Sequence, residues 1–480
     1  MKQTDYFKRR TKIVCTIGPA TGTASVIERL IRSGMNIARL NLSHGTHDVH
    51  AQYIRTVRRI SQRLGMQVAI LVDLPGPKYR TGRLKGGQAI LKKSAQLTLT
   101  TRDIEGDAAL VPVNLPNLPH DVKIGDTVLL DDGATQLRVL GKSSSEVKCR
   151  VIVGGVLTEG RGLVVPGMRT SGSFITDALR EHIAFAVQQK PDYLAISFVS
   201  SAEDILAVKT VLSEYNADIP VISKIERGQA VKDFDDILSA SDGIMVARGD
   251  LGVDIPLERV PLIQKEIIQK CNRVGKPVIT ATQMLESMVN AVRPTRAEVT
   301  DVANAILDGT DATMLSAETS VGKYPVQAVR TMARIAQETE KRLSYAHLIA
   351  ERSMLIERET DELISYSACH TADSLGAVAI VAFTQSGSTA SRVSKYRPRV
   401  PVLAITPSDV VSGKLLLYWG VYPFQVAPAS SVDELFKMGA NLAKETGLAK
   451  PGDLIVITGG VPIGVAGLTN LLKVERIDGR

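Results

Sequence analysis

At 480 residues the chain is too long for a single hydrophobic core, and its length favours about three domains. Hydrophobic residues (44%) and charged residues (22%) are at levels ordinary for a soluble globular protein, whereas aromatic residues, at 4%, are too sparse for a nucleic-acid platform built on base stacking. The net charge of +8 comes from scattered Lys and Arg residues, which favours a surface suited to anionic metabolites over a DNA-binding stripe.

Short β-branched runs alternate with amphipathic helical segments from residue 12 to residue 342. Eight of these runs are predicted strands: Lys12–Ile17, Asn36–Leu42, Gln67–Asp73, Tyr193–Phe198, Pro220–Ile225, Gly243–Ala247, Pro277–Thr282 and Ala312–Ser316. Predicted helices follow most of them, including Thr23–Ser33, Ala202–Tyr215, Pro261–Arg273 and Pro325–Leu343. Strand–helix alternation implies parallel pairing, and eight such units predict an α/β fold closed into a (β/α)8 TIM barrel.

A segment of different texture separates the third and fourth predicted strands. Short alternating runs occur there at Leu97–Thr101, Thr127–Leu130 and Glu146–Val153, with turn dipeptides such as Asp132-Gly133 between them. This pattern predicts a small antiparallel β domain, a small β-barrel inserted into a loop of the larger barrel.

The strand–helix pattern restarts after about Leu343, with predicted buried strands at Ala377–Phe383, Pro401–Ile405 and Asp453–Ile457. We therefore predict a C-terminal α/β domain. The predicted division is a barrel in two parts, 1–77 and 174–343, an inserted β domain at 78–173, and a C-terminal regulatory domain at 344–480.

The four cysteines, Cys15, Cys149, Cys271 and Cys369, form no CxxC pair and no cluster with zinc spacing. The N-terminal segment MKQTDYFKRR has no apolar signal core, and no apolar run approaches the length of a membrane span. These patterns predict a reduced, cytoplasmic protein that has neither a membrane nor a nucleic acid as its partner.

Polar residues stand at the C-terminal ends of seven of the eight predicted barrel strands, where barrels of this kind carry their catalytic groups. They are Thr16, Arg39, Asn41, Ser43, His44, Asp73, Lys78, Arg80, Lys224, Glu226, Arg248, Asp250, Thr282, Gln283, Ser316 and Glu318. A single charged residue at a strand end usually has no function and is either solvated or paired with a neighbour. This interpretation is less convincing when polar residues stand at the ends of seven strands. Cations and carboxylates converging on one mouth fit an anionic substrate held with a metal ion.

The fifth predicted strand is the most informative, because Lys224 and Glu226 are two residues apart and point to the same side of the sheet. An isolated lysine in an apolar barrel is costly, but it is favourable opposite a phosphoryl group in transfer. Glu226 and Asp250 lie on neighbouring strands and can share a divalent cation with substrate oxygens. Gly249 permits close approach of the backbone at this turn.

Seven segments are similar to signatures of the pyruvate kinase family: Asn41–Gly45, Ile222–Glu226, Gly243–Gly252, Ile279–Met288, Arg293–Glu298, Asp301–Thr310 and Met314–Thr319. The likeness extends from about Arg10 to the C-terminus. It implies phosphoryl transfer from phosphoenolpyruvate to ADP, giving pyruvate and ATP, with Mg²⁺ or Mn²⁺ as cofactor. It also implies a homotetramer, and an inserted domain that closes over the site and excludes water.

The resemblance further implies roles for individual residues. The implied catalytic residues are Lys224, Thr282 and Arg39. The implied substrate contacts are Arg39, Lys224, Ala247, Arg248, Gly249, Asp250, Thr282 and Ser316, with backbone N–H groups around Ala247–Asp250 receiving the substrate carboxylate. The implied divalent-metal ligands are Glu226 and Asp250, and the implied monovalent-cation pocket is formed by Asn41, Ser43 and Asp73. The implied nucleotide contacts are Pro19, His44, Arg80 and Arg161.

Lys78 departs from the pattern of many family members, which carry glutamate there and Thr-Lys in place of Leu74-Pro75, and which need K⁺. A lysine ammonium at this position can take the space and charge of that ion. We therefore predict activity that does not require K⁺. The alternative is that Lys78 only pairs with a surface carboxylate.

The segment Thr384–Ala390 follows a predicted strand and opens a helix, so its hydroxyl and N–H groups can cradle a phosphate, although Ser/Gly-rich turns are common. The resemblance implies that an allosteric effector phosphate binds here. The implied effector contacts are Thr384, Ser386, Gly387, Ser388, Thr389 and Thr469. Relatives regulated by fructose bisphosphate often carry Lys or Arg at the position of Ser388, so its neutral hydroxyl favours AMP or a sugar monophosphate.

Two other functions are compatible with parts of this pattern. A metal-dependent barrel that forms or cleaves an enolate, such as an aldolase or lyase of pyruvate, would use a similar mouth, but it would not need ADP to release pyruvate. A non-catalytic metabolite sensor would use only the C-terminal cradle. The complete set of Lys224, Glu226 and Asp250 favours an enzyme over a sensor.

Overall fold

The computed structural model describes residues 7–76, 79–168, 171–354 and 358–478. All eight predicted barrel strands are present, with ends within two residues of the predicted ones, and they form one closed parallel barrel. Numbered along the chain, they are β1 (Lys12–Thr16), β2 (Ile37–Asn41), β3 (Ala69–Leu74), β12 (Tyr193–Ile196), β13 (Val221–Ile225), β14 (Gly243–Ala247), β15 (Val278–Ala281) and β16 (Ala312–Leu315). The barrel closes where β1 pairs with β16, so the carboxyl ends of all eight strands meet at one mouth.

The helices, also numbered along the chain, pack around the barrel and in the other two units. They are α1 (Ala24–Ser33), α2 (His47–Leu64), α3 (Leu118–Asp121), α4 (Asp177–Gln189), α5 (Ala202–Glu214), α6 (Gly228–Lys232), α7 (Phe234–Ala240), α8 (Arg248–Asp254), α9 (Val260–Val274), α10 (Arg296–Leu307), α11 (Ala317–Ser320), α12 (Pro325–Glu340), α13 (Tyr345–Ser353), α14 (Thr360–Leu375), α15 (Ser388–Lys395), α16 (Asp409–Leu415) and α17 (Val432–Glu445). Short 3-10 turns lie at Lys85–Gly87, Leu257–Arg259 and Glu286–Val289. No helix within the described ranges is both long enough and apolar enough to cross a membrane.

Helix α1 illustrates how the local sequence sets these boundaries. The Thr23 hydroxyl accepts a hydrogen bond from the Val26 N–H and caps the first turn. At the other end Gly34 has φ +117°, a left-handed conformation that terminates the helix. Between these caps, Ile27 and Leu30 recur at helical spacing and are fully buried in the barrel core.

The segment between β3 and β12 is the predicted inserted β domain. Its strands are β4 (Gln88–Leu91), β5 (Gln96–Thr100), β6 (Leu110–Pro112), β7 (Thr127–Leu130), β8 (Thr135–Lys142), β9 (Glu146–Val153), β10 (Gly155–Thr158) and β11 (Leu163–Val164). They form a six-stranded sheet in the order β11-β7-β8-β9-β5-β6 and a two-stranded sheet of β4 and β10. The pairing is antiparallel as predicted, except that β5 and β6 are parallel. Both sheets share one apolar core.

The C-terminal unit contains a five-stranded sheet in the order β19-β18-β17-β20-β21. Its strands are β17 (Ala379–Phe383), β18 (Val402–Thr406), β19 (Val421–Gln425), β20 (Leu454–Gly459) and β21 (Leu471–Arg476). The sequence pattern predicts β17, β18 and β20 and misses the two edge strands. Pro423 interrupts β19 and charged residues interrupt β21, because edge strands do not need continuous apolar runs.

Lys12 lies where the barrel meets the C-terminal unit and is only 1% exposed. Its Nζ donates a hydrogen bond to the Val421 carbonyl oxygen and stands 4.2 Å from the centre of the Tyr422 ring. Burial, reinforced by the nearby charge of Arg9, lowers the pKa of Lys12 to about 7. The charged form of this lysine is therefore unfavourable at the junction.

We expect Lys12→Met to raise the thermal midpoint most at low pH. The unfolded chain has a lysine pKa near 10.4, so between about pH 7 and pH 10 it binds more protons than the folded chain. Wild-type stability should therefore rise with pH across that window, and the advantage of Lys12→Met should shrink. Tm values of both proteins between about pH 6 and pH 10 provide the measurement, with the exposed Lys323→Met as control. A difference independent of pH would contradict the expectation.

Candidate active site

Four charged side chains form one ion network at the barrel mouth. Arg39 Nε donates to Asp73 Oδ2 at 2.7 Å, and Lys224 Nζ lies 3.3 Å from Asp73 Oδ1 and 2.9 Å from Glu226 Oε1. Every one of the four residues is less than 10% exposed. Each of them is a site residue predicted from the sequence, and barrel closure brings them together as two cations and two carboxylates with no net charge.

Ser197 completes this network and is not among the site residues predicted from the sequence. Its Oγ accepts a hydrogen bond from Lys224 Nζ at 2.7 Å and lies 3.4 Å from Asp73 Oδ1. The fourth predicted strand ends without a charged residue, so the charge pattern gives no indication of Ser197. The strand order could have indicated this residue, since β12 pairs with both β3 and β13 and Ser197 directly follows β12, between the strand ends that carry Asp73 and Lys224.

The network changes the acid–base properties of its members. Burial alone would raise the pKa of Asp73, but the Lys224 and Arg39 charges outweigh it and hold that pKa below its usual value. Burial would likewise lower the pKa of Lys224, but Asp73 and Glu226 raise it. For Glu226, burial dominates and the pKa lies above its usual value, with Lys224 opposing and Asp250 adding to the rise. Lys224 is thus held as a buried cation.

Glu226 and Asp250 face the same cleft of about 770 Å³ between the mouth and the inserted domain, which contributes Tyr79, Leu163 and Met168. Glu226 Oε2 accepts the Phe198 N–H at 2.6 Å while its Oε1 faces Lys224, so the carboxylate is held in position. In the described part of the chain the Asp250 carboxylate has no hydrogen-bond or ion-pair partner. An oriented carboxylate beside an unengaged one, in a solvent-accessible cleft, suits a hard divalent cation.

Thr282 occupies a strained conformation beside this cleft. Its φ of +65° lies in the left-handed region, which a β-branched residue rarely adopts. The Gly249 N–H donates to Thr282 Oγ1 at 2.9 Å, and the Arg248 guanidinium donates to the Thr282 carbonyl at 2.7 Å while pairing with Asp301 at 2.6 Å. These contacts tie the end of β15 to the first turn of α8. Because the Arg248 side chain is engaged in them, a substrate contact at this position would come from its backbone.

Ser316 follows β16 and is braced by a neighbouring carboxylate. Its N–H donates to Glu318 Oε2 at 2.7 Å, while Glu318 Oε1 accepts the Leu285 N–H at 3.0 Å. Glu318 is fully buried, and burial raises its pKa. The Ser316 hydroxyl is buried without a hydrogen-bond partner among the described residues.

Of the residues predicted to form the monovalent-cation pocket, Asn41 lies next to both Asp73 and Ser43. Strand register places Asn41 beside Asp73, and Asn41 Oδ1 accepts the Ser43 N–H at 3.2 Å. The Asp73 carboxylate is engaged by Arg39 and Lys224. Lys78, the proposed substitute for the cation, lies outside the described residues.

The four predicted nucleotide contacts fall in two separate places. Pro19 and His44 lie in the loops after β1 and β2, where the His44 carbonyl oxygen accepts a hydrogen bond from His50 at 2.7 Å. Arg80 and Arg161 lie together in the inserted domain, where Arg80 pairs with Gly162 in a β-bridge and donates to the Gly160 carbonyl at 2.8 Å. No hydrogen bond or ion pair within the described ranges joins these two places.

Most of the residues predicted to bind an effector lie at or just before the start of α15. Thr384 Oγ1 accepts the Gly387 N–H at 2.9 Å, and Ser386 Oγ lies 3.1 Å from Ser388 Oγ. Thr389 and Thr469 join their hydroxyls at 2.8 Å. Gly387 has φ +94°, which suits glycine at this tight turn. A cleft of about 540 Å³ opens beside the turn.

Comparison with known proteins agrees with this geometry. Residues 8–329 match the family model described as pyruvate kinase, barrel domain, and residues 362–475 match pyruvate kinase, alpha/beta domain. The chain is 46% identical to pyruvate kinase from Geobacillus stearothermophilus over 473 residues, covering 98% of this chain and 81% of that protein. It is 45% identical to a Staphylococcus aureus pyruvate kinase over 471 residues, covering 98% and 80%.

A solved structure shows the same architecture. The crystal structure of a pyruvate kinase from Cryptosporidium parvum superposes with a TM-score of 0.94 at 37% identity, covering 99% of this chain and 97% of that one. The sequence identity covers almost the whole chain, and the superposition includes the closed barrel, the inserted β domain and the C-terminal α/β unit. The chain therefore belongs to the pyruvate kinase family of phosphotransferases.

Proposed function

We propose that this enzyme transfers the phosphoryl group of phosphoenolpyruvate to ADP, giving pyruvate and ATP, with Mg²⁺ or Mn²⁺ and without a requirement for K⁺. We further propose that the enzyme is a cytoplasmic homotetramer and that a phosphorylated metabolite activates it. Each subunit would have the domain limits predicted from the sequence. The main support for the catalytic proposal is the position of Lys224, whose buried ammonium group lies 2.9 Å from the Glu226 carboxylate at the mouth of the barrel.

Positioned positive charge is the main requirement of this chemistry. Phosphoryl transfer passes through a loose transition state whose equatorial oxygens carry the charge, so it needs electrostatic stabilisation more than a strong base. The Lys224 ammonium would face these oxygens, and Asp73 with Ser197 would keep it aimed. Arg39, anchored on Asp73, would contact the phosphate.

The first turn of α8 and the end of β15 would orient the rest of the substrate. Backbone N–H groups at Ala247–Asp250 stand at a helix start and would receive the substrate carboxylate. Thr282 is locked beside them through the Gly249 N–H and would stand next to the carbon that takes up a proton. Ser316 offers a hydroxyl without a partner in the described structure, suited to a substrate or a water.

The divalent cation would be held by Glu226 and Asp250, and it would supply positive charge to the phosphoryl and enolate oxygens. Asp250 has no protein partner within the described ranges, which fits this role.

ADP would be bordered from two sides, by Pro19 and His44 in the barrel loops and by Arg80 and Arg161 in the inserted domain. These residues would border ADP only when the inserted domain approaches the mouth, and that movement would exclude water.

The test of the proposed reaction is a lactate-dehydrogenase-coupled assay with phosphoenolpyruvate, ADP and Mg²⁺. We expect pyruvate release that depends on ADP and on the divalent ion. Pyruvate release without ADP would instead favour the aldolase or lyase alternative. Light scattering on the same preparation tests the tetramer.

We expect wild-type activity in tetramethylammonium buffer to change little on addition of KCl. The reason is that the Lys78 ammonium would supply the charge that K⁺ supplies elsewhere. Lys78→Glu should lose most activity in the absence of KCl and regain part of it when KCl is added. Lys92→Glu, at an exposed site in the inserted domain, is the control. A wild-type enzyme that works only with KCl would refute the proposal.

We expect AMP or a hexose monophosphate to lower the half-saturating phosphoenolpyruvate concentration several-fold in the wild type. Ser388→Glu should abolish this response, because a carboxylate at the start of α15 repels the effector phosphate. Basal activity should persist, since Ser388 is remote in sequence and fold from the barrel mouth. Ser144→Glu, at an exposed turn of the inserted domain, provides the matched control. A titration in which neither ligand changes substrate affinity would exclude the proposed effectors.

A further inference from the structure

A second cleft, of about 1190 Å³, lies between the barrel helices α9 and α10 and the helix α13 that follows the barrel. We call it the interdomain cleft. Its charged lining residues are Lys265, Arg273, Arg352, Arg397, Asp308 and Glu351. None of them belongs to the barrel mouth or the effector cradle, and cations outnumber carboxylates four to two.

Three of these six charged residues, Lys265, Asp308 and Arg397, have partners within the protein. Lys265 pairs with Asp308. Arg397 is 4% exposed and donates to Asp311 at 2.7 Å and to Asn272 Oδ1 at 2.6 Å. These residues are therefore satisfied by the protein, apart from the Arg397 Nε, which is buried without a partner in the described part of the chain.

Arg352 differs from its neighbours. It is 8% exposed, and its Nη1 donates to the Lys395 carbonyl oxygen. Within the described ranges it forms no ion pair with a carboxylate. A buried guanidinium without a paired anion is costly, because the charge loses its hydration and gains no counter-ion in return. Its neighbour Arg397 is also positive, which adds to that cost.

The Lys395 carbonyl is the last of helix α15, so Arg352 also benefits from the negative end of that helix. This is the simplest structural explanation for the residue. Such an interaction recovers only part of the hydration that a buried charge loses. Burial and the Arg397 charge lower the pKa of Arg352 to about 9, and the nearby negative charges of Asp311 and Glu351 only partly oppose this shift.

We propose that the interdomain cleft is a second anion site, in which Arg352 binds the phosphate of a small phosphate monoester. The guanidinium fork matches two phosphate oxygens, and Arg273 adds a second cation at the exposed rim. The remaining volume accommodates the organic part of the ligand. The site lies at the end of α15 opposite the effector cradle, so the inference does not depend on the cradle.

The test is calorimetric titration of the full chain with glycerol 3-phosphate. The Ser388→Glu background is used so that binding at the cradle does not contribute. We expect Arg352→Gln to weaken binding at one site by roughly 10-fold or more, as for loss of a charged hydrogen bond. Arg399→Gln is the matched control, because Arg399 is 62% exposed and lies outside the cleft. Equal affinities with and without Arg352 would overturn the proposal.

Two further measurements keep the test decisive if Arg352→Gln does not fold. Arg273→Gln alters an exposed rim residue and should weaken binding several-fold, whereas unchanged affinity would count against the site. Crystals soaked in selenate should show an anomalous peak beside the Arg352 guanidinium. Peaks found only elsewhere would mean that the buried arginine serves the end of α15 alone.

Discussion

Lys224→Met is expected to lower kcat by about a thousand-fold or more, with a smaller change in the KM for phosphoenolpyruvate. Methionine keeps the length of the side chain but removes the charge that would face the transferring phosphoryl group. Removing one preorganised stabilising group from a transition state costs about 10²–10³-fold in other enzymes. A full positive charge in a buried network should be at the upper end of that range or above it.

The measurement is the coupled assay, combined with thermal unfolding to show that the variant is folded. Lys209→Met is the control, since Lys209 forms a partly exposed ion pair with Asp242 away from the mouth. Ser197→Ala should have an intermediate effect, because it removes the 2.7 Å hydrogen bond that aims Lys224 and leaves the charge in place. A folded Lys224→Met enzyme with kcat within tenfold of the wild type would show that this lysine does not stabilise the transition state.

Glu226→Gln is expected to weaken divalent-metal binding by about 10–100-fold or more and to lower kcat at any fixed Mg²⁺ concentration. Glutamine keeps the shape and can still accept the Phe198 N–H. It removes one of the two negative charges proposed to hold the cation, and it leaves Lys224 with Asp73 as its remaining anion.

Mn²⁺ binding measured by electron paramagnetic resonance in the absence of substrate separates metal affinity from catalysis. Asp250→Asn should give a loss similar to that of Glu226→Gln. Asp235→Asn, at a largely exposed carboxylate outside the mouth, should bind Mn²⁺ like the wild type. If Glu226→Gln keeps wild-type Mn²⁺ affinity, the assignment of this carboxylate as a ligand is wrong.

Much of the fold follows from local patterns in the sequence. The eight barrel strands are buried β-branched runs, and each is followed by a segment with helical periodicity, so their type and number can be predicted from short windows. The two edge strands β19 and β21 could not be predicted in this way. Proline and charges are tolerated at a sheet edge, and only pairing with β18 and β20 identifies these segments as strands.

The candidate site likewise has features that local sequence patterns predict and features that depend on the assembled fold. The charged residues at strand ends can be identified from the sequence, and so can the shared face of Lys224 and Glu226, because side-chain direction alternates along any strand. The position of Lys224 between Asp73 and Glu226 depends on the assembled fold, since Asp73 is 151 residues away and approaches Lys224 only when the barrel closes. Neighbours that are distant in the sequence also determine the role of Ser197, the strained conformation of Thr282 and the lack of an ion pair at Arg352. Charge type is a property of the residue, whereas burial and partnership are properties of the assembled fold.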